Sequence, residues 1–324
     1  MKQFFSIVFG GLAAILVGVG IASAGRLAWR TWVSGHPQTL SAFHVDANPE
    51  ALPEAAGTDS TSISNDARTV RYSADEEENL IDAATSALPA GADGKITAGG
   101  YLVKDLTTGE VVASHRSDTL MPIASLTKLV TAVVARRLID PDEKITITRA
   151  IMATYGNTAG FRAGETFTAS DLMYPLLMVS SNDAAEAYAI HYGRPKFIQA
   201  MNDFAQSIGA YRTYFDDASG LSPNNVSTAN DLALILNWIR TNDPAIIQLT
   251  LVKSKIVRAH TWVNPTHFLS WSYYLGGKNG YTTEANRTAT ALFALGFAKH
   301  PYAVIVLGSD NRDADMLRLI AKVK

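Results

Sequence analysis

The sequence predicts an α/β fold of the α+β kind, with one antiparallel β-sheet flanked by helices and an all-α lobe beside it. Three observations carry this. Short β-rich runs occur near residues 99–114 and again over 255–308, a mostly helical stretch separates them, and a helical segment closes the chain. The early and late runs each need partners for their backbone N–H and C=O groups, and the block between them is helical. The simplest pairing therefore joins them in one sheet.

Gly99 to Val103 and Glu110 to Ser114 are separated by Asp105-Leu106-Thr107-Thr108-Gly109, a hairpin signal with glycine supplying the turn. From Ser125 to Leu138, apolar Leu126, Leu129, Val130, Val133 and Val134 recur at helical spacing. Residues from Ser170 to about Thr241 read as mostly helical; in Thr228-Ala229-Asn230-Asp231 a hydroxyl and a carboxylate three apart can cap a first turn. Lys255 to Val263, Thr288 to Ala298 and Tyr302 to Gly308 then read as strands, and Asp313 to Val323 as the closing helix. The chain has no internal repeat.

The chain divides into three parts: residues 1–33 an N-terminal signal or membrane anchor, 34–73 a disordered tether, and 74–324 a catalytic domain starting at Ala74-Asp75-Glu76. Lys2 precedes an apolar run from Phe4 to Ala24, long enough to span a bilayer, while Ala22-Ser23-Ala24 offers a small-residue cleavage site. Anchor and cleaved signal both fit, and both export the remainder to the cell envelope. A soluble core helix does not fit, because the run has no polar face. The tether is rich in Pro, Ala, Ser, Thr and acidic residues, with no aromatic between Phe43 and Tyr72, too little apolar surface to offset the entropy of ordering it.

A formal net charge of −2 gives no basic excess to track a phosphate backbone, so nucleic acid is not expected as a partner. Cysteine is absent, which removes disulfides, thiolate catalysis and thiolate-held metals. The histidines show no H-E-x-x-H or similar ligand spacing, and His260 and His267 read as structural or surface residues.

Three short segments carry chemistry. Ser125 and Lys128 stand three apart at a helix start and so share a face. A serine hydroxyl needs a base to take its proton, and a lysine serves when burial depresses its pKa. The helix N-terminus adds N–H groups where an oxyanion would form. Alone this pattern equally describes a capping serine followed by a surface lysine. Ser180-Ser181-Asn182 lies between helical segments and offers a hydroxyl for proton relay and an amide for a substrate carbonyl. Lys278-Asn279-Gly280 lies in a glycine-rich run just before a strand, a flat edge that a substrate backbone can approach.

With these motifs in this order, the chain resembles the penicillin-binding serine enzymes, specifically the low-molecular-mass D-alanyl-D-alanine carboxypeptidases. Their Ser-x-x-Lys, Ser-x-Asn and Lys-Thr-Gly motifs map to Ser125 with Lys128, Ser180 with Asn182, and Lys278 with Gly280; Ser181-Asn182-Asp183-Ala184-Ala185 and Asp217-Ala218-Ser219-Gly220-Leu221 are also similar. The likeness covers about Ala98 to Ile320. It implies a β-lactamase/transpeptidase-like fold with the site between sheet and α-lobe, no metal or cofactor, and peptidoglycan stem peptides and β-lactams as ligands. By the same resemblance Ser125 is the acylated nucleophile, Lys128 the acylation base, and Ser180 a relay between Lys128 and Lys278. Lys278 anchors the substrate carboxylate, and the N–H groups of Ser125 and Tyr281 form the oxyanion hole.

The chain departs from the family pattern at three points. Asn279 replaces the usual threonine or serine. Gly308-Ser309-Asp310 stands where some relatives place an arginine after the last strand, leaving Arg312 as the candidate substitute. The chain also ends soon after the closing helix, so membrane attachment is expected through the N-terminal segment rather than through a C-terminal domain. Chain length and motifs are the same for a D,D-endopeptidase, and two further rival functions share the motifs. A β-lactamase of the helical Ser-x-x-Lys class is disfavoured because no Glu-x-x-Leu-Asn loop lies between Asn182 and Lys278, and Glu186 reads as a helix-surface residue. A non-catalytic peptidoglycan-binding relative is the other.

Overall fold

In the computed structural model of the protein, residues 94–323 are described; the N-terminal apolar run, the tether and the expected helix start at Ala74 lie outside them. The strands β1 (Gly100–Asp105) and β2 (Val111–His115) form the anticipated hairpin. Asp105 Oδ1 accepts from the N–H groups of Thr107 at 2.7 Å and Thr108 at 3.1 Å, closing the turn before left-handed Gly109. The short strand β3 (Met121–Pro122) and a 3₁₀ turn over Ala124–Leu126 lead into α1 (Thr127–Leu138). Next come β4 (Lys144–Thr146), α2 (Arg149–Met152), β5 (Thr166–Thr168), α3 (Ala169–Met178), α4 (Asn182–Tyr192) and α5 (Arg194–Ser207). β6 (Val226–Ser227), α6 (Ala229–Asn242) and α7 (Pro244–Leu251) follow. The chain then runs through β7 (Ser254–Val257), β8 (His260–Val263), β9 (Tyr274–Thr282), β10 (Asn286–Leu295), β11 (His300–Ser309) and α8 (Arg312–Ile320).

The sheet has the order β2-β1-β11-β10-β9, every neighbour antiparallel, so the N-terminal hairpin pairs with the last strand as expected. Alternation along β11 divides the core: Ala303, Ile305 and Leu307 face the helical lobe, while Val304 and Val306 pack with Met316 and Leu319 of α8. Register places Leu102, Ile305, Thr290 and Lys278 in one row across the sheet. A lysine on the edge strand thereby ends a row of buried side chains on the lobe-facing side.

Three expectations are corrected. The block between the strands is not purely helical: β4 pairs with β5, β3 with β6, and residues 208–228 are mostly irregular. Lys255–Val263 is a hairpin rather than one strand, turning at Arg258, which adopts a left-handed φ of 54° without the glycine or asparagine that signals such a turn. The glycine-rich run is itself strand β9. Its glycines admit neighbours: a Cβ on Gly276 would sit 2.7 Å from Ile247 and Thr250 of α7, and one on Gly277 would sit 2.4 Å from the Thr290 carbonyl. Among the described residues no helix is long and apolar enough to cross a membrane.

The start of α7 is tied to α1 by a buried fork in which Arg136 Nε and Nη2 donate to Asp243 at 2.7 and 3.0 Å. Removing one partner strands the other charge inside. Asp243→Ala is expected to lower unfolding free energy by about 3–5 kcal/mol, measured by urea denaturation.

Candidate active site

Ser125 is set in the 3₁₀ turn that opens α1, directly after Ala124, whose φ of 49° is left-handed and unusual for a residue with a Cβ. Surrounding contacts hold this strained turn. Thr127 Oγ1 donates to the Ala124 carbonyl at 2.8 Å, and Thr288 Oγ1 of β10 donates to the Ile123 carbonyl at 3.1 Å. Gly220, itself left-handed, lies so close that a Cβ there would come within 1.9 Å of the Ala124 oxygen. Gly280 plays the same part from the sheet, since its Cβ would sit 2.8 Å from the Ser125 amide nitrogen. Only glycine lets β9 run against the nucleophile's backbone.

Lys128, one helical turn on, is fully buried. Its Nζ lies 2.9 Å from Ser125 Oγ, 2.7 Å from Asn182 Oδ1 and 2.6 Å from the Ser219 carbonyl. Burial holds the ammonium far below the usual amine range, with Lys278 acting in the same direction and Asp217 against it. A neutral amine has two N–H donors and one lone pair. The amide and backbone oxygens can only accept, so they take the two donors and leave the lone pair for the Ser125 hydroxyl. This is the geometry of a general base.

Ser180, with a left-handed φ of 58°, is held between α3 and α4, while Ser181 caps α4 by accepting from the Ala184 N–H at 3.1 Å. Lys278 Nζ donates to Ser180 Oγ at 2.9 Å and to the Asn279 carbonyl at 2.8 Å. Lys278 and Ser180 are thus in contact, whereas Lys128 bonds Asn182 rather than Ser180. Asn182 is also engaged on its other side, donating from Nδ2 to the Tyr155 carbonyl at 2.8 Å. Burial lowers the Lys278 pKa to about 7, with the nearby Arg312 guanidinium contributing.

Asn279 is half-buried on β9 opposite Ala289, and its side chain makes no hydrogen bond among the described residues. Tyr281 is exposed at the same edge, with the Arg287 guanidinium 5.7 Å from its ring centre. Arg312 opens α8 and acts electrostatically on Lys278, although it is far from Lys278 in sequence.

Two further contributors escaped sequence reasoning as functional residues. The Ser219 carbonyl is a main-chain group that no side-chain motif reveals; Asp217, which organises it, appears in the sequence only as part of a matching stretch. An aspartate two residues before a serine, with glycine next, was the available signal for a tight acceptor turn. Glu186 corrects an expectation: it is buried, not on the helix surface, and pairs with Arg194. Its pKa is raised by burial. His260 pairs with Glu165 at 3.1 Å and stacks on Trp262, a packing role, and His267 stands at the surface facing Asp313. Among the described residues no group of three or more histidines and carboxylates is placed to hold a metal.

A serine activated by a buried lysine, between an antiparallel sheet edge and a helical lobe, defines a penicillin-binding type of serine acyl-transfer enzyme. The chain belongs to the D-alanyl-D-alanine carboxypeptidase family, peptidase S11, whose sequence profile matches residues 84–310. It is 32% identical over 257 residues to the D-alanyl-D-alanine endopeptidase of Escherichia coli, a match spanning 73% of this chain and 80% of that one. The crystal structure of D-alanyl-D-alanine carboxypeptidase from Mycobacterium tuberculosis superposes with a TM-score of 0.65 at 28% identity, covering 70% of this chain and 91% of that one. Penicillin-binding protein D2 of Listeria monocytogenes in its ampicillin-bound form gives a TM-score of 0.62 at 26% identity, over 69% and 95% of the two chains.

With the roles that the family resemblance implies, the two lysines would have opposite proton requirements: Lys128 neutral to take the serine proton, and Lys278 charged to attract an anion. Acylation by penicillin is therefore expected to fall as pH rises through about 7, where free Lys278 loses its proton. It is also expected to fall at low pH, where Lys128 gains one, giving a bell-shaped kcat/KM in stopped-flow acylation.

Proposed function

We propose that this protein is a serine D-alanyl-D-alanine carboxypeptidase that removes the terminal D-alanine from peptidoglycan stem peptides through an acyl-enzyme on Ser125, and that β-lactams acylate the same residue. The observation that carries this reading is the placement of buried Lys128 Nζ 2.9 Å from Ser125 Oγ with two acceptor oxygens at 2.6 and 2.7 Å, which as a neutral amine would leave its lone pair for the hydroxyl. Lys128 takes the hydroxyl proton as Oγ attacks the carbonyl carbon of the penultimate D-alanine. The oxyanion is received by the N–H groups of Ser125 and Tyr281, a reading supported by the close passage of Gly280, the neighbour of Tyr281, against the Ser125 amide nitrogen. Collapse breaks the C–N bond, and the proton held on Lys128 is passed by way of Ser180 to the departing D-alanine amine, which restores the neutral base. Water then hydrolyses the ester. Lys278, on which the Arg312 charge acts, attracts the substrate carboxylate; the Asn279 amide, without a hydrogen-bond partner among the described residues, supplies a donor where relatives carry a hydroxyl.

The assembled site supports turnover over a purely binding role. A fluorescent penicillin is expected to label wild type covalently and to leave Ser125→Ala unlabelled; label on Ser180 in that variant would sink the assignment. Lys128→Ala is expected to slow acylation by about 10²–10⁴-fold. Endopeptidase activity is a second reading, favoured by the name of the Escherichia coli relative. Mass spectrometry of a digested muropeptide mixture separates the two, since a carboxypeptidase removes one alanine and an endopeptidase splits a cross-linked dimer. Slow release of bound penicillin is expected in either case, and rapid turnover would instead indicate a β-lactamase.

The domain assignment extends this reading to the cell envelope: residues 1–33 export the chain, 34–73 hold residues 74–324 away from the bilayer, and Phe4 to Ala24 stays in the membrane. Intact-mass analysis of the membrane-extracted protein tests the anchor. The full-length mass is expected, and a mature N-terminus at Gly25 would show a cleaved signal.

A further inference from the structure

The turn that presents the Ser219 carbonyl to Lys128 is built around one carboxylate. Asp217 Oδ1 accepts from the Ser219 N–H at 2.7 Å, the Ser219 hydroxyl at 3.0 Å and the Gly220 N–H at 2.5 Å, while Oδ2 accepts from the Ser222 N–H at 2.6 Å. Asn225 locks this turn onto α1. Its Oδ1 accepts from the Asp216 and Asp217 N–H groups at 2.8 and 3.1 Å, and its Nδ2 donates to the Asp217 carbonyl and to Thr127 Oγ1, both at 3.0 Å. Gly220 in the same turn abuts the Ala124 carbonyl beside the nucleophile. One side chain therefore spans the backbone that faces the base and the backbone that braces the serine.

Charge follows the same arrangement. The groups acting on Lys128 are Lys278 from β9 and Asp217 from this turn. Behind them, Arg312 of α8 acts on Lys278, and Glu186 of α4, paired with Arg194, feels Asp217. Asn182, the α4 residue that touches Lys128, is neutral. Asp217 is the opposing negative charge on Lys128 in this set.

We propose that Asp217 is a positioning residue for acylation: it aims the Ser219 carbonyl at Lys128 Nζ, so that the lone pair meets Ser125 Oγ, and it balances Lys278 across the base. The inference rests on Lys128 being the base. If the Ser219 carbonyl turns away, an N–H of the amine is freed to rotate toward Ser125 and the lone pair is misdirected. If the charge is lost, the two lysines repel without a counterweight and Lys128 becomes a weaker base.

The test is the second-order rate of acylation by a fluorescent penicillin between about pH 4 and 10, for wild type, Asp217→Asn and Asp217→Glu. Asp217→Asn keeps the size and loses the charge. It is expected to move the acidic limb at least about half a unit lower and to cut the plateau about tenfold or more. Asp217→Glu keeps the charge on a longer arm, so its acidic limb is expected to stay in place while the plateau falls about tenfold. A merely structural residue would lower the amount of folded enzyme without moving a limb, so rates are normalised to titratable sites. An unmoved limb in folded Asp217→Asn, or a wild-type plateau in Asp217→Glu, overturns the proposal, and the second result decides the matter if Asp217→Asn does not fold. A wild type whose label is not on Ser125 would instead remove the reading beneath it.

Discussion

The complete burial of Lys128 is the constraint on which the rest of the site depends. An ammonium group taken out of water without a carboxylate beside it is costly in its charged form, and the protein resolves this by favouring the neutral amine. A neutral amine is directional where an ammonium is not. Its usefulness therefore turns on two acceptors held to within a few tenths of an ångström, one from α4 and one from the turn before β6. Helix α1, the start of α4 and the turn before β6 must meet for this arrangement to exist.

Close backbone approach is the second requirement, and it explains where the chain accepts strain. Ala124 and Ser180, at the nucleophile turn and at the break between α3 and α4, both hold left-handed backbone that costs about 1–2 kcal/mol each for residues with a Cβ. Gly220 and Gly280 close on the nucleophile turn from opposite lobes with no room for a side chain. The pleated row that ends in Lys278 then brings a second depressed lysine to Ser180. Two buried lysines thus share one small volume, the charge of Lys278 lowering the proton affinity of Lys128 and that of Arg312 lowering the affinity of Lys278.

Membership in the D-alanyl-D-alanine carboxypeptidase family agrees with this chemistry, and so does the fold likeness to a carboxypeptidase and to an ampicillin-bound penicillin-binding protein. The departures lie at the rim rather than at the reacting atoms. Asn279 stands next to Lys278, on which Arg312 acts, and its side-chain amide makes no hydrogen bond among the described residues. Differences of this kind alter which peptide end is held without altering how the serine is activated.

Much of this was legible in the sequence because it depends on short-range pattern. Hairpin chemistry at Asp105 and Gly109, helical spacing after Ser125 and the Thr228 cap are local, and the pairing of Ser125 with Lys128 follows from one turn of helix. Motif order was enough to single out the residues that the fold brings together around Ser125. What the tertiary structure alone decided involves groups distant in the chain or without side-chain identity. The Ser219 carbonyl meets Lys128 across 91 residues, Asn182 turns to Lys128 across 54, and Arg312 acts on Lys278 from another element. Glu186 could not be placed inside from helical periodicity, since burial of a carboxylate depends on Arg194 coming from the next helix. The glycines of β9 look like a loop in one dimension because their purpose is the α7 helix and the nucleophile turn that press against them. Propensity reports what a residue favours alone, whereas proton affinity, lone-pair direction and close approach are set by which neighbours the fold supplies.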